Sequence, residues 1–304
     1  MEEFSKDFVW YITGCSQGFG FILTVLLIKR GFKVTATSRN KDNFEKKIFN
    51  NDESKGEITG LSKEKHGEQL LICQVDLVNE SSVKLSLNDT ILKFGRLDVV
   101  VNNSGYIRLG AVEELSDKEY RDLFDANFFG MLNVLRNSLP LLREYTKTNG
   151  YGGCRVYNIS SIAGILNLSA GSSPYSSTKF AMEAISESLH MEMKPHNVHV
   201  TCVKPGFFKT NIRDSATSSD KPLDCYSNVR AAVNDKPNWT FNGDPKKAMN
   251  ILIDLSLDKN TSESLPPLHL FLGPETIDFF NKKVASIQSD LNHFINLTTS
   301  TNFD

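Results

Sequence analysis

Long hydrophobic runs are missing from this 304-residue chain, and no apolar stretch approaches the ~20 residues that a membrane-spanning helix needs. A surplus of one charge is missing too. Lys plus Arg number 34 against 36 for Asp plus Glu, a net charge of −2. That balance excludes broad electrostatic attraction to nucleic acid or to an anionic membrane and leaves a small molecule as the expected ligand. Cysteine is sparse. The five thiols, Cys15, Cys73, Cys154, Cys202 and Cys225, are odd in number and scattered, so no disulfide framework is expected. Metal-ligand spacing is absent as well: His199 and Cys202, near His196, lie on opposite faces of a strand pattern and could hardly share one ion, so no metal is expected. The acidic opening, residues 1–7, is unlike a signal peptide or an Arg-rich transit peptide, and with the reduced thiols it predicts a cytoplasmic protein. Triplets such as Asn158-Ile159-Ser160 then carry no sugar.

What remains is an ordinary globular composition, 40% hydrophobic and 23% charged, over a length that one α/β domain can fill. Short, nearly continuous apolar segments at 8–13, 33–38, 70–75, 97–101, 155–160, 198–203 and 268–272 read as strands covered on both faces. Helical patterns fill the gaps, notably at 18–30, 79–94, 118–143 and 174–194. Repeated strand–helix units imply right-handed crossovers, so the expected fold is α/β: a single-domain Rossmann fold, with a doubly wound parallel sheet of about seven strands and helices on both faces. Two segments break the rhythm. Residues 50–68 are polar and read as a flexible surface insertion, whereas residues 211–243 follow the sixth strand, overhang the carboxyl edge of the sheet and read as a substrate lid. A last helix, 274–295, carries Ile277, Phe280, Val284, Ile287, Leu291 and Phe294 at helical spacing, a stripe expected to face the core or another subunit.

The glycine-rich segment Thr13-Gly14-Cys15-Ser16-Gln17-Gly18-Phe19-Gly20 follows the first strand and opens the first helix. Glycines there let the backbone turn tightly and approach a pyrophosphate, whose charge the helix N-terminus favours. The second strand ends Thr37-Ser38-Arg39, without the carboxylate that would hold the ribose hydroxyls of NAD. A guanidinium beside a hydroxyl suits a 2′-phosphate, so NADP is the expected cofactor. Asp76, at the tip of the third strand, is placed to accept from an adenine amino group, and Asn102-Asn103-Ser104-Gly105 to lie beside the adenosine ribose.

Ser161 ends the fifth strand, 14 residues before Tyr175-Ser176-Ser177-Thr178-Lys179. A spacing of four on a helix puts the phenol and the ammonium on one face, where the cation is expected to favour phenolate and draw the tyrosine's pKa of ~10 toward the working pH. The Ser161 hydroxyl can then bond a substrate oxygen while the phenol gives or takes its proton. Asn127, in the apolar stretch Asp125-Ala126-Asn127-Phe128-Phe129-Gly130, needs a partner for its amide, and a water leading toward Lys179 is the one expected. Lys204-Pro205-Gly206-Phe207-Phe208-Lys209-Thr210 offers backbone and the Thr210 hydroxyl to a nicotinamide carboxamide.

In this order the motifs resemble those of a classical short-chain dehydrogenase/reductase, from about the first strand to the last helix. The resemblance implies Asn127, Ser161, Tyr175 and Lys179 as catalytic tetrad, with Tyr175 and Lys179 also touching the cofactor. It implies Gly14, Ser16, Gly18 and Gly20 as phosphate turn, Ser38 and Arg39 as ribose-phosphate contacts, Asp76 as adenine contact, Asn102 and Gly105 as fourth-strand motif, and Pro205, Gly206 and Thr210 on the nicotinamide side. Ser104 stands where the family usually has Ala, and Gln17 where some NADP-preferring members carry a basic residue. The C-terminal style is similar to retinol- or hydroxysteroid-dehydrogenase-like members. The implied activity is hydride transfer between an alcohol and a carbonyl, in a homodimer or homotetramer packed through helices near 117–143 and 175–194. Phe207, Phe208, Tyr226 and Trp239 around the lid predict a lipophilic alcohol or ketone. An NAD-preferring dehydrogenase and a non-catalytic NADP-sensing protein are the alternatives.

Overall fold

All four residues of the first strand, β1 (Val9–Ile12), are fully buried, because the two faces of the strand meet two different cores. Trp10 and Ile12 belong to one apolar cluster and Tyr11 to the other. A strand covered on both faces needs apolar side chains at every position, so its sequence reads as a run and not as an alternation. The computed structural model describes residues 7–50, 59–146, 152–212, 215–234, 242–257 and 266–303.

After β1 the chain runs through α1 (Gly18–Lys29), β2 (Lys33–Ser38), α2 (Lys41–Ile48), the single turn α3 (Lys63–His66), β3 (Leu70–Gln74), α4 (Glu80–Phe94) and β4 (Val99–Asn102). A short β5 (Arg108–Leu109) precedes α5 (Asp117–Phe124) and α6 (Gly130–Tyr145), and β6 (Cys154–Ile159), α7 (Ser173–Met193) and β7 (Val198–Pro205) follow. Then come β8 (Thr217–Ser218), α8 (Ser227–Asn234), α9 (Pro245–Leu257), β9 (His269–Leu272), α10 (Glu275–His293) and α11 (Ile295–Thr299). Seven parallel strands form one sheet in the order β3-β2-β1-β4-β6-β7-β9. Residues of α1, α2 and α9 cover one face, and residues of α4, α6 and α7 cover the other. The order runs outward in both directions from the β1–β4 boundary, which opens a crevice at the carboxyl ends of the strands.

Three segments differ from the sequence expectation. The long helix read at 118–143 is two helices joined by a π-helical turn, Asp125–Phe129, whose wider winding carries Asn127 into full burial. Residues 51–58 of the expected insertion lie outside the described residues. The part that follows is not a free loop: Leu61 is fully buried in the α1–α2 cluster and the Thr59 hydroxyl donates to the Ile48 carbonyl at 2.6 Å. Most different is α10. Its five apolar stripe residues and Phe294 just beyond it are 40–61% exposed and Thr276 is its one buried side chain, so within one copy of the chain the stripe is not core.

Candidate active site

The end of β1 and the end of β4 are tied together under the glycine turn. Asn103 and Ser104 donate their backbone N–H groups to the Thr13 hydroxyl at 2.9 and 3.0 Å, and the Asn103 amide donates to the Thr13 and Gly14 carbonyls at 2.8 and 3.1 Å. That arrangement explains two of the glycines. Gly14 has φ +69°, and a Cβ on it would stand 2.9 Å from the Ser104 Cα; a Cβ on Gly20 would stand 2.6 Å from the Asn103 amide nitrogen. Helix α1 begins immediately after, capped by Gln17 without a side-chain bond, which leaves its first N–H groups facing the crevice.

The tip of β2 lies beside this turn. Ser38 is buried and its hydroxyl is turned back on its own loop, bonding Asn40 at 3.1 and 3.2 Å, while Arg39 is exposed and lines the crevice. Lys47 of α2 donates to the Ser16 carbonyl at 3.1 Å and lies 4.4 Å over the Phe21 ring, a second cation at the turn. Sequence reading missed it, because a lysine on a polar helix face looks like any solvated side chain. Asp76 accepts from the Val78 N–H at 3.1 Å at the tip of β3.

Across the crevice, α7 presents Tyr175 and Lys179 on one face, both buried. Tyr175 and Ser161 both line the crevice, and Lys179 Nζ lies 5.8 Å from the Tyr175 ring centre and donates to the Ile159 carbonyl at 2.7 Å. The expected drop in the tyrosine's pKa does not occur in this environment. Burial pushes the phenol up to about 12, against the pull of Ser161, and burial pulls the Lys179 ammonium down to about 8, against the effect of Cys202 and Glu183. At neutral pH the pair is therefore a neutral phenol beside a cation. One turn beyond Lys179, Glu183 pairs with the buried Lys204 of β7 at 2.7 Å.

Asn127 finds partners within the chain: its amide accepts from the Tyr106 N–H at 3.0 Å and donates to the Tyr106 carbonyl at 2.9 Å and to Thr178 at 3.2 Å. A Cβ on Gly105 would meet Asn127 Oδ1 at 3.2 Å and Lys179 Nζ at 3.9 Å, so the π-helical turn, Gly105 and Lys179 converge. On the β7 side, Glu275 accepts from the Phe207 N–H and stands so close over Gly206 that a Cβ there would clash with its carboxylate.

These parts line a single crevice of about 350 Å³. Gly14, Ser16, Gly18, Ser38, Arg39, Asp76 and Gly105 line it, and so do Ser161, Tyr175, Lys179, Pro205, Gly206 and Thr210. Three expected residues do not line it. Gly20 and Asn127 stand behind the wall, and Asn102 is turned into the sheet, where it donates to Asn158 at 2.9 Å and Asn158 in turn donates to Ser186 at 2.9 Å. Phe207 and Phe208 line the crevice, joined by Leu109, Ile162, Leu168 and Ile212, which sequence patterns did not single out. Tyr226 is elsewhere, donating to Glu113 at 2.9 Å, and Trp239 lies outside the described residues. From the segment after β7, β8 pairs with β5, and the buried Glu114 accepts from the Ala111 and Leu223 N–H groups, each at 2.9 Å, and pairs with Arg230. Among the described residues no group of three His, Cys, Asp or Glu side chains is placed to hold a metal ion, and no helix is long and apolar enough to cross a membrane.

The residues fit a dinucleotide. The turn has backbone where a Cβ would otherwise intrude, an open helix N-terminus and an exposed guanidinium, and the same crevice is lined by Tyr175 and Ser161. The short chain dehydrogenase family model matches residues 9–221, and the chain belongs to that family of oxidoreductases. An uncharacterized oxidoreductase of Schizosaccharomyces pombe is 31% identical over 296 residues, covering 95% of this chain and 90% of that protein. A solved short-chain dehydrogenase from Streptomyces avermitilis superposes with a TM-score of 0.80 at 29% identity, covering 97% of this chain and 98% of that one. More distant structures share the fold: ElxO with NADP bound (20% identity, TM-score 0.68, 89% and 99% covered) and a Burkholderia phymatum short chain dehydrogenase/reductase in complex with NAD (16%, 0.71, 93% and 95%). Nicotinamide cofactors of both kinds thus occur on this fold.

Proposed function

We propose that the protein is an NADP(H)-dependent oxidoreductase that interconverts a lipophilic alcohol and its carbonyl, with Tyr175 as acid/base. The observation that carries the reading is the meeting of Tyr175, Ser161 and Lys179 on the wall of the same crevice that the glycine turn opens. When bound, the reduced nicotinamide supplies the hydride. Ser161 and Tyr175 then hold the substrate oxygen, and the phenol, kept neutral by burial, hands its proton to that oxygen as the carbonyl carbon gains hydride. Lys179 keeps positive charge beside the phenolate left behind, and Asn127 braces the strand-four loop through Tyr106. Pro205, Gly206 and Thr210 would bound the nicotinamide end, and Gly14, Ser16, Gly18, Asp76 and Gly105 the nucleotide end.

Preference for NADP is supported by Arg39 at the tip of β2, where no carboxylate stands among Thr37, Ser38 and Arg39. Lipophilic substrates are supported by Ile162, Leu168, Phe207 and Ile212 on the crevice wall. The segment around β8 and α8 serves as lid over the crevice. Exposed Phe129, Phe180 and Met191 support packing of a homo-oligomer through the helices around α6 and α7.

A panel of ketones, retinoids and steroids assayed with NADPH and NADH tests the reading. Arg39→Ala should weaken NADPH by roughly 10- to 150-fold, the loss of one charge-assisted contact, and leave NADH nearly untouched. Ser38→Asp/Arg39→Ala should invert the preference. A wild-type preference for NADH, or a ratio of turnover efficiencies indifferent to both changes, overturns the assignment.

A further inference from the structure

Helix α10 holds an unusual position for an amphipathic helix. Phe280 leans on Phe271 at 5.3 Å and Phe279 on Phe207 at 5.7 Å, and Thr276 is buried, so the first two turns are anchored to the body. From Val284 to the end of the helix every residue is exposed. A free helical arm of this kind is marginal in water, because helices in proteins draw most of their stability from a covered apolar face. The stripe has a definite pattern. Ile277, Phe280, Val284, Ile287, Leu291 and Phe294 follow each other by 3, 4, 3, 4 and 3 residues, the seam of a two-stranded coiled coil. The pattern reads the same in both directions about a point between Ala285 and Ser286.

We propose that this stripe is a self-association surface, on which α10 of a second copy packs antiparallel about a two-fold axis. In that register Ile277 of one copy meets Phe294 of the other, Phe280 meets Leu291 and Val284 meets Ile287, each contact occurring twice, as an isologous interface requires. Charge complementarity favours this occupant. Lys283 and Asp290 lie on the same flank of the seam, one heptad apart, and antiparallel pairing sets each Lys283 beside the other copy's Asp290. A lipid surface is disfavoured, because α10 carries three acidic residues, Glu275, Asp278 and Asp290, against two basic ones, Lys282 and Lys283, with none of the basic excess that draws a helix to anionic membranes. The surface is separate from the α6–α7 face and does not depend on the catalytic reading.

Sedimentation equilibrium over a dilution series tests it, with wild type, Val284→Glu/Ile287→Glu, Lys283→Asp, Asp290→Lys and the exchanged pair Lys283→Asp/Asp290→Lys. The largest wild-type species should lose half its mass in Val284→Glu/Ile287→Glu, with melting temperature and cofactor binding retained, since both side chains are exposed within one copy. Each single charge change should weaken association and the exchange should restore it. A monomeric wild type, an unchanged mass in Val284→Glu/Ile287→Glu, or an exchange that fails to restore would overturn the proposal. So would a stripe-dependent flotation with phosphatidylcholine vesicles at unchanged mass, which would make the face a membrane contact.

Discussion

At the scale of single residues, burial and chemistry pull against each other in α7. The identities and spacing of Tyr175 and Lys179 are legible in the sequence, but the direction of their pKa values is not, because it depends on how far the folded chain removes both groups from water. Lys179 illustrates the cost. Its folded pKa of about 8 lies below the ordinary 10.5, so between those values the unfolded chain binds a proton that the folded chain gives up. Stability from this group therefore rises with pH across that window, and below pH 8 the fold carries a buried cation at full cost. Comparison of Lys179→Met with wild type by denaturant unfolding should show the variant's relative stability falling by on the order of 3 kcal/mol from pH 8 to 10.5. A gap that is flat in pH would mean that the ammonium is not buried as described. The same variant should lose turnover, the usual exchange of stability for function at such sites.

Elements differ in how much of themselves they show in sequence. The strands are legible because two-sided burial writes an apolar run, and the glycine turn because steric contact with Ser104 and Asn103 admits no side chain at Gly14 and Gly20. The π-helical turn at Asp125–Phe129 is not, since its extra winding leaves composition and periodicity almost unchanged while it moves Asn127 inward. The stripe of α10 shows its amphipathicity but not what covers it, which is a matter of tertiary and quaternary placement. The segment proposed as a lid lies between these cases. Its polar composition and its place after β7 are visible, but its anchor, Glu114, is not, because Glu114 sits in a loop before α5 and its partners in that segment, Leu223 and Arg230, are more than 100 residues away. Glu114→Ala should free Leu223 and Arg230, raise KM for the carbonyl substrate severalfold and lower the melting temperature, with NADPH affinity little changed. Equal loss of substrate and NADPH affinity would make the segment a structural support and not a lid.

For the whole molecule, function follows from topology. Strand order places the carboxyl ends of β1 and β4 at the point where the sheet winds both ways, and every chemically distinctive segment of the sequence, from the glycine turn to the Pro205–Gly206 loop, is brought to that edge. The family was legible because its motifs keep their order along the chain; the substrate was not, because apolar lining from Leu109, Ile162, Leu168 and Ile212 comes from β5, the β6–α7 connection and the segment after β7, with no shared pattern. Steady-state turnover of NADPH with an accepted carbonyl, measured for wild type and Tyr175→Phe beside NADPH affinity by fluorescence titration, tests the central claim most directly. Removal of the proton donor should cut turnover by at least ~100-fold, the lower range for a general acid, and leave NADPH affinity nearly unchanged. Near-normal turnover in Tyr175→Phe would contradict it.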